Sequence, residues 1–440
     1  MDIDLQKIKK VFFVGIGGIG ISAIARMMLL QGKLVAGSDI GKSSITEELR
    51  KLGAQIVLGQ GIELVPKDVN LIVYSIAVPK YDPEFFKKLQ ALRASGVTLQ
   101  SYPEMLGQVT RAKYTIAVSG THGKTTTTAM IGKILTDTGH HPSVIVGSLL
   151  KESKSNLIMG KSNFFVVEAC EYERSFLNIK PRMLVVTNIE EDHLDYYKNL
   201  GDIQRAFKEL MLQTEDLIIY NGQDANTSTL IVGKNFKCGV LDYSKFLDKV
   251  PRLSVPGAHN RMNAAAALAV AYVLNITDGD AEKSLAVFSG TWRRLEKKGT
   301  TEAGTIVYDD YAHHPTEIKA SLEALRELYP KNEKRLTVLF QPHLYSRTKA
   351  LFDDFVKSFK DADKVLLLPI YFAREVPDPS VSSEKLAQAI RLEGEDVQAF
   401  SDFESAEKTV LALNLGSKDV FVTMGAGEAY KVADTVFKLS

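Results

Sequence analysis

The sequence lacks most of what marks a specialised environment. Its 440 residues hold only two cysteines, Cys170 and Cys238, with no C-x-x-C pair and one tryptophan. That excludes a disulfide-stapled scaffold and fits a reducing compartment. Apolar runs stop at about strand length, so no segment reads as a membrane span. The opening "MDIDLQKIKK" leads with charge straight into a strand-like run, unlike a signal peptide. Net charge is missing too: 54 basic against 53 acidic residues leave +1. No global field draws the chain to nucleic acid or to a membrane, and any anion it binds must be captured locally. The expectation is a cytoplasmic protein of several domains, because 440 residues exceed one core.

What is present is an alternation of short apolar runs with amphipathic helical patterns. The runs Val11–Gly15, Leu34–Asp39, Gln55–Gly59 and Asn70–Val78 open it. Between them "SSITEELRKLG" predicts a helix with a capping box from Ser44 to Glu47, closed by Gly53. A second unit starts at "YTIAVSGTHGKTTTTAMIGKILTDTG", with a strand Tyr114–Ser119, a glycine turn and a helix to about Thr138. A third starts near "TIVYDDYAHHPTEI", with strands Thr305–Asp309, Leu336–Phe340, Lys364–Ile370 and Asp419–Met424. Alternation of this kind gives mostly parallel sheets covered by helices. The fold class is therefore α/β in three domains, at 1–108, 109–300 and 301–440. The outer two are Rossmann-like.

Two glycine loops carry the chemistry. Gly15, Gly17, Gly18 and Gly20 form a G-x-G-x-x-G between a strand and a helix, and Asp39 follows 19 residues after Gly20. That is the spacing of a dinucleotide fingerprint. By itself it says only that a diphosphate can lie on a helix N-terminus. The second loop, "SGTHGKTTTT", decides more. Gly120, Thr121, His122, Gly123, Lys124, Thr125 and Thr126 span another strand–helix junction. Backbone N–H groups there favour phosphate, Lys124 can neutralise the β/γ oxygens, and the Thr125 hydroxyl can hold Mg²⁺. The loop is shorter than G-x-x-x-x-G-K-[ST], since Val118 stands where that pattern needs glycine. A γ-phosphate site has no use in a hydride-transfer enzyme.

This shortened loop resembles that of the Mur ligases, the ATP-dependent amide-forming ligases of peptidoglycan synthesis. The likeness runs through "GIGGIGISAIARMML", "GTHGKTTTT", "TNIEEDHLDYY", "PGAHNRMNAAAALAVA", "DDYAHHPTEI", "FQPHLYSRTKALFDDF" and "TMGAGE". Seven segments in order, over nearly the whole chain, make it specific. It is greatest to the member that adds the first amino acid. The resemblance implies ATP and Mg²⁺ as cofactors, UDP-N-acetylmuramate and L-alanine as substrates, and a monomer or weak dimer.

It also implies roles for particular residues. The first glycine loop would hold a UDP-sugar through Gly15, Gly17 and Gly18, with Ser38, Asp39 and Ser75 at neighbouring strand ends. Asp39 would accept from a nucleotide hydroxyl or from a base edge. Glu168, ending "FFVVE", and His193, in "EEDHLDYY", would join Thr125 as metal ligands. Asn260 and Asn263 lie three apart on one helical face and could pair with adenine, on which Tyr311 could stack. Arg293 and Arg294 fall near the second domain join, where a guanidinium could reach the transferred phosphate. Arg347 is the candidate for the amino-acid carboxylate, with His343 beside it. His314 joins the catalytic set with Lys124, Glu168, His193, Arg294 and Arg347. The chain departs from its relatives at Cys170 (often acidic), Leu295 (often Phe) and Leu344 (often Arg). Lys208, 15 residues after His193, stands where sister ligases place a carbamylated lysine.

The implied chemistry is attack of the lactyl carboxylate on the γ-phosphorus, then of the alanine amine on the acyl phosphate. An Asp or His near 309–314 would take the amine's proton. ATP on the second domain and the amino acid on the third require closure to meet. Three rivals stand beside this reading. A recycling ligase would join a ready-made tripeptide to the same UDP-sugar. A dehydrogenase would bind NADH without ATP. An inactive nucleotide-binding module would bind ATP without turnover.

Overall fold

The alternation resolves into three sheets in a computed structural model that describes residues 3–373 and 375–439. The expectation that Tyr371–Glu375 lines the amino-acid cleft includes residue 374, which lies outside the described residues. In the first sheet β1 (Lys10–Val14), β2 (Leu34–Asp39), β3 (Gln55–Leu58), β4 (Leu71–Tyr74) and β5 (Thr98–Ser101) run parallel in the order 3-2-1-4-5. The second sheet contains β6 (Tyr114–Ser119), β7 (Ser143–Leu150), β8 (Ser155–Ile158), β9 (Phe164–Glu168), β10 (Met183–Val186), β11 (Leu217–Tyr220) and β12 (Gly239–Asp242). Their order is 12-11-10-6-9-7-8, with only β7 and β8 antiparallel. The third is built of β13 (Glu296–Thr300), β14 (Ile306–Asp310), β15 (Arg335–Phe340), β16 (Lys364–Leu367), β17 (Val397–Ala399) and β18 (Asp419–Met424), ordered 13-14-18-15-16-17.

The continuous apolar runs are explained by burial on both faces. Along β18, Val420, Val422 and Met424 pack into one core layer while Phe421 packs into the layer on the opposite face. β15 divides in the same way, with Leu336, Val338 and Phe340 on one side and Leu339 on the other. Period-2 alternation therefore sorts side chains between two helical layers, not between core and solvent.

Three details differ from expectation. The run Asn70–Val78 is strand only to Tyr74, and Ala77–Tyr81 turns into helix. The capping box lies one residue earlier, with Ser43 as N-cap and Thr46 as its partner. β13, placed before the join expected at 300, pairs antiparallel with β14 and so belongs to the third sheet.

The chain forms two compact units. One runs to Ile189 and adds Ile203–Phe246 and Ala266–Ser284, so it holds the first two sheets. Within it the Asn156 side chain on β8 donates to the Ile19 carbonyl and, at 2.9 Å, to Ser22 Oγ, fixing the hairpin to the helix Ile19–Leu30. The other unit holds the third sheet with Glu190–Asp202 and Leu247–Ala265. Among the described residues no helix is long and apolar enough to cross a membrane.

Candidate active site

At the first glycine loop the carboxyl ends of β1, β2 and β4 meet, beside the point where strand order reverses. Gly15 has φ 77°, and a Cβ there would stand 3.1 Å from Ser75 Cβ. Its N–H and that of Ile16 donate to the Ser38 carbonyl at 2.8 and 3.1 Å. Ser38 is thus buried beneath the loop and contributes its backbone. The Asp39 carboxylate, expected to accept from a nucleotide hydroxyl or base edge, accepts from Gly17 N at 2.8 Å and from Gly41 N at 3.2 Å and so braces the loop. Gly18 caps the helix Ile19–Leu30 with extended backbone. Gly20 serves packing: a Cβ there would meet the Tyr102 ring at 2.6 Å.

The second loop leaves β6 through Gly120 (φ 136°) and enters the helix Lys124–Asp137 through Gly123 (φ 81°). A Cβ on Gly120 would fall 1.9 Å from Thr187 Oγ1, so only glycine fits. The segment after β10 holds the loop in shape. Thr121 N donates to the Asn188 carbonyl at 3.0 Å, and His122 N to Asn188 Oδ1 at 2.9 Å. Lys124 Nζ folds back onto the Gly120 and Thr121 carbonyls and pairs with buried Glu171 at 2.9 Å. Burial pulls the Lys124 pKa down, but Glu171 and the nearby Glu168 outweigh it and hold the ammonium charged above its ordinary range. Thr125 Oγ1 donates to Glu168 Oε2 at 2.8 Å, which also accepts from Gly147 N at 2.7 Å. Thr126 is buried one residue on. A hydroxyl and a carboxylate side by side at a phosphate loop form the hard oxygen donor set that Mg²⁺ prefers, so these residues fit the nucleotide and its cation.

His193 belongs to the other unit. It has φ 53°, and its carbonyl accepts from Tyr196 N and Tyr197 N at 2.9 Å each. Its neighbour Asp192 is buried and binds Arg347: Oδ1 accepts from Nε at 3.1 Å and from Nη2 at 2.9 Å. Burial raises the Asp192 pKa, yet His193 and Arg347 more than reverse this and keep it ionised far below the usual carboxylate range. Arg347 Nη1 donates to His343 Nδ1 at 3.1 Å, and the His343 ring stacks on Tyr371 at 5.6 Å. Burial, then His313 and Arg347, push the His343 pKa down to about 3, which keeps it a neutral acceptor.

Along the third-sheet edge the paired arginines separate. Arg293 is 3 % exposed and committed: Nε donates to Asp309 Oδ2 at 2.7 Å, Nη2 to the Gly425 carbonyl at 2.8 Å and Nη1 to the Gly427 carbonyl at 3.1 Å. It locks "TMGAGE" onto β14, and its expected role at a nucleotide is not supported. Arg294 is half-buried, 3.9 Å from Glu317 and 5.1 Å from the Tyr311 ring, so it is the one of the pair that can reach a ligand. The Tyr311 ring lies 5.3 Å from the Arg293 guanidinium and 5.1 Å from that of Arg294. His314 is the N-cap of the helix Pro315–Leu328, with Nδ1 accepting from Thr316 N at 3.3 Å and Nε2 donating to the Glu191 carbonyl at 3.1 Å. Both ring nitrogens are in use, which corrects the catalytic role expected of it. His313 differs: Nδ1 donates to the Tyr311 carbonyl at 2.9 Å, which leaves Nε2 its lone pair. Burial lowers its pKa to about 4. Asp310, wholly buried against Ser321, is raised by burial to about 6.

Asn260 and Asn263 are both buried near the start of the helix Ala258–Val273. Asn260 Nδ2 donates to the Pro256 carbonyl at 2.7 Å and its Oδ1 accepts from Asn263 Nδ2 at 3.4 Å, so part of each amide is already used. Lys208 lies on the exposed side of the helix Leu200–Gln213, whose Ile203, Ala206, Phe207, Leu210 and Met211 are buried. A bridging carbamate needs a lysine turned into the site, so that expectation is not supported. Sequence reasoning missed the work of Thr187, Asn188, Glu171 and Asp192. Asp192 adjoins His193 and Glu171 lies three residues after Glu168, which was the available signal for those two; Thr187 and Asn188 had only their place after the β10 run.

A phosphate loop with a hydroxyl and carboxylate at its mouth, on a chain of three α/β sheets, defines a nucleoside-triphosphate-using class of protein. Three family models narrow this: "Mur ligase family, catalytic domain" matches residues 10–114, "Mur ligase middle domain" 118–249 and "Mur ligase, glutamate ligase domain" 293–427. The chain belongs to the Mur ligase family, a family of ATP-dependent ligases. It is 39% identical to a UDP-N-acetylmuramate–L-alanine ligase of Caldanaerobacter subterraneus subsp. tengcongensis, covering 99% of this chain and 98% of that one. It is 38% identical to the enzyme of the same name from Clostridium botulinum strain Hall, covering 100% and 99%. Among solved structures, a UDP-N-acetylmuramate–alanine ligase of Thermotoga maritima superposes with TM-score 0.79 at 27% identity, covering 97% and 98%.

Proposed function

We propose that this chain joins L-alanine to the lactyl carboxylate of UDP-N-acetylmuramate at the expense of ATP, in cytoplasmic peptidoglycan precursor synthesis. One observation carries the reading: Lys124, Thr125 and Glu168 converge at the phosphate loop, in a chain similar over its whole length to L-alanine ligases. The lactyl carboxylate oxygen attacks the γ-phosphorus, the bond to the β-phosphate oxygen breaks, and ADP leaves. The alanine nitrogen then attacks the acyl carbon, loses a proton and expels phosphate.

The residues divide this work. The first glycine loop binds the UDP-sugar with its backbone around Gly15, Gly17 and Gly18, Asp39 holding the loop and Ser75 beside it. Lys124, always charged, leaves its loop carbonyls to neutralise phosphate oxygens, and Arg294 adds a second positive charge. Thr125 and Glu168 would hold Mg²⁺ at the phosphate loop, with His193 as the further candidate ligand, and the cation would supply charge neutralisation for the transferred phosphate. Arg347 takes the amino-acid carboxylate. His313 is the proton acceptor: Asp309 is held by Arg293, Asp310 by Ser321, and His314 has no nitrogen to spare. Asn260 and Asn263 bind adenine, and Tyr311 stacks on it.

The test is phosphate release by the purified protein with ATP, Mg²⁺, UDP-N-acetylmuramate and each amine in turn. Release that needs both the UDP-sugar and L-alanine is expected. Release only with a tripeptide would move the assignment to a recycling ligase. No release with any amine would end the ligase reading.

A further inference from the structure

Two opposite charges are buried together inside the third-sheet unit. Asp192 and Arg347 are each 8 % exposed, and neither belongs to a strand. Hiding a pair of charges is costly unless hydrogen bonds compensate both, and here each charge meets the other and one further partner. Asp192 Oδ1 takes the Nε and Nη2 hydrogens of Arg347, at 3.1 and 2.9 Å, and is held in turn by the His193 backbone N–H at 2.7 Å. His343 Nδ1 takes one hydrogen from Nη1 at 3.1 Å. A guanidinium has five N–H donors, so one remains on Nη1 and one on Nη2. A carboxylate bound end-on needs one hydrogen from each of those two nitrogens. A small cavity beside the pair is lined by His193, Leu344, Ser346, Ala350 and Leu351.

We propose that Asp192 is the positioning residue of Arg347: it clamps the Nε side and so presents the Nη1–Nη2 edge to the carboxylate of the incoming amino acid. This role rests on the ligase reading, in which Arg347 binds that carboxylate. Asp192 directly precedes His193, so the same clamp ties the amino-acid subsite to the segment that carries a metal-ligand candidate. A free guanidinium on a flexible stem would sample many orientations. A displacement of about 1 Å at a positioning group can cost up to roughly a hundredfold.

Steady-state kinetics separates the possibilities. Wild-type protein must first release phosphate in the presence of UDP-N-acetylmuramate and L-alanine; without that the ligase reading fails, and this role falls with it. In an active enzyme Asp192→Asn keeps the shape and removes the charge. The expected result is an alanine KM raised at least about tenfold, with kcat within about threefold and the KM values for ATP and UDP-sugar unchanged. Arg347→Lys has no Nε–Nη2 side to clamp, so adding Asp192→Asn to it should raise the alanine KM no further. Asp192→Glu, which moves the charge by one methylene, covers the case of an unfolded Asn variant and should also raise the alanine KM severalfold. The idea is overturned if the alanine KM stays put in these variants. A fall in kcat with a raised Mg²⁺ requirement, or additive effects in the double variant, would overturn it as well.

Discussion

The phosphate loop and the edge of the third sheet present similar residues, yet only in the first does the order of elements account for which residues meet. At the loop, Lys124 and Thr125 are consecutive, and Glu168 ends the strand beside β6. Sequence order places Lys124 and Thr125 together, and the pairing of β6 with β9 sets Glu168 at the adjacent strand end. At the third-sheet edge, side chains arrive from β14, β15 and β18 and from Glu190–Asp202, and they compete for one another. There a partner far away in sequence decides whether a charge is structural or free to meet a ligand. The lesson is that a contiguous motif can be read residue by residue, whereas a convergent cluster cannot.

Lys124→Ala should have the largest effect. The loop would lose its only side-chain cation, and alanine-dependent phosphate release should fall by about a thousandfold. If the rate falls less than tenfold, the two regions are not as different as described.

Next comes the arginine pair. Arg293→Ala leaves Asp309 buried without its cation and should cost roughly 3–5 kcal/mol of stability. Arg294→Ala should leave the urea midpoint nearly unchanged while slowing turnover about tenfold to a hundredfold. The reverse pattern, measured by urea unfolding and by kinetics, would show that the assignment of the two neighbours is the wrong way round.

Acid should distinguish the regions by a similar amount. His259, His313 and His343, all in the third-sheet unit, titrate at about 4, 4 and 3 against 6.5 when unfolded. At pH 5 the unfolded chain binds more protons at these sites than the folded one. Their contribution to stability is therefore full above about pH 6.5 and is lost as pH falls toward 4. A group moved from 6.5 to about 4 is worth roughly 3 kcal/mol. Asp310, raised to about 6, works in the opposite sense and offsets part of the loss. Hydrogen exchange at decreasing pH should show protection lost around the third sheet before it is lost around β6. Equal loss in both would erase the contrast.

The smallest effect is expected at Lys208. Lys208→Ala should change turnover by less than about twofold, as for an exposed side chain away from any special feature. Intact mass of the native protein should show no CO₂ adduct. An adduct, or lost activity, would bring this helix back into the metal site.

Much of the fold was legible because the signals are local. Both glycine loops fall at the strand–helix junctions where the alternation put them, and most expected strands lie within a few residues of their positions. The β7–β8 hairpin and β13 were missed although each pairs with a near neighbour in sequence; β13 is the charged run "EKKGT", which carries no apolar strand signal. Among site residues, the meeting of Thr125 with Glu168 beside the phosphate loop was readable from their positions near strand ends. Arg293, His314 and Lys208 were not, because residue type and spacing do not reveal what a side chain will be packed against.

The sequence by itself determined the three α/β alternations, the two phosphate-competent loops and the family. Each depends on periodicity or on contiguous residues, and the backbone transmits these directly into structure. Only the tertiary structure decided that Asp39 braces its own loop, that Arg293 is a fastening and Arg294 is not, and that Asp192 holds Arg347. Those outcomes depend on which buried charges and hydrogen-bond donors find partners, and burial makes the partner, not the residue type, decide the role.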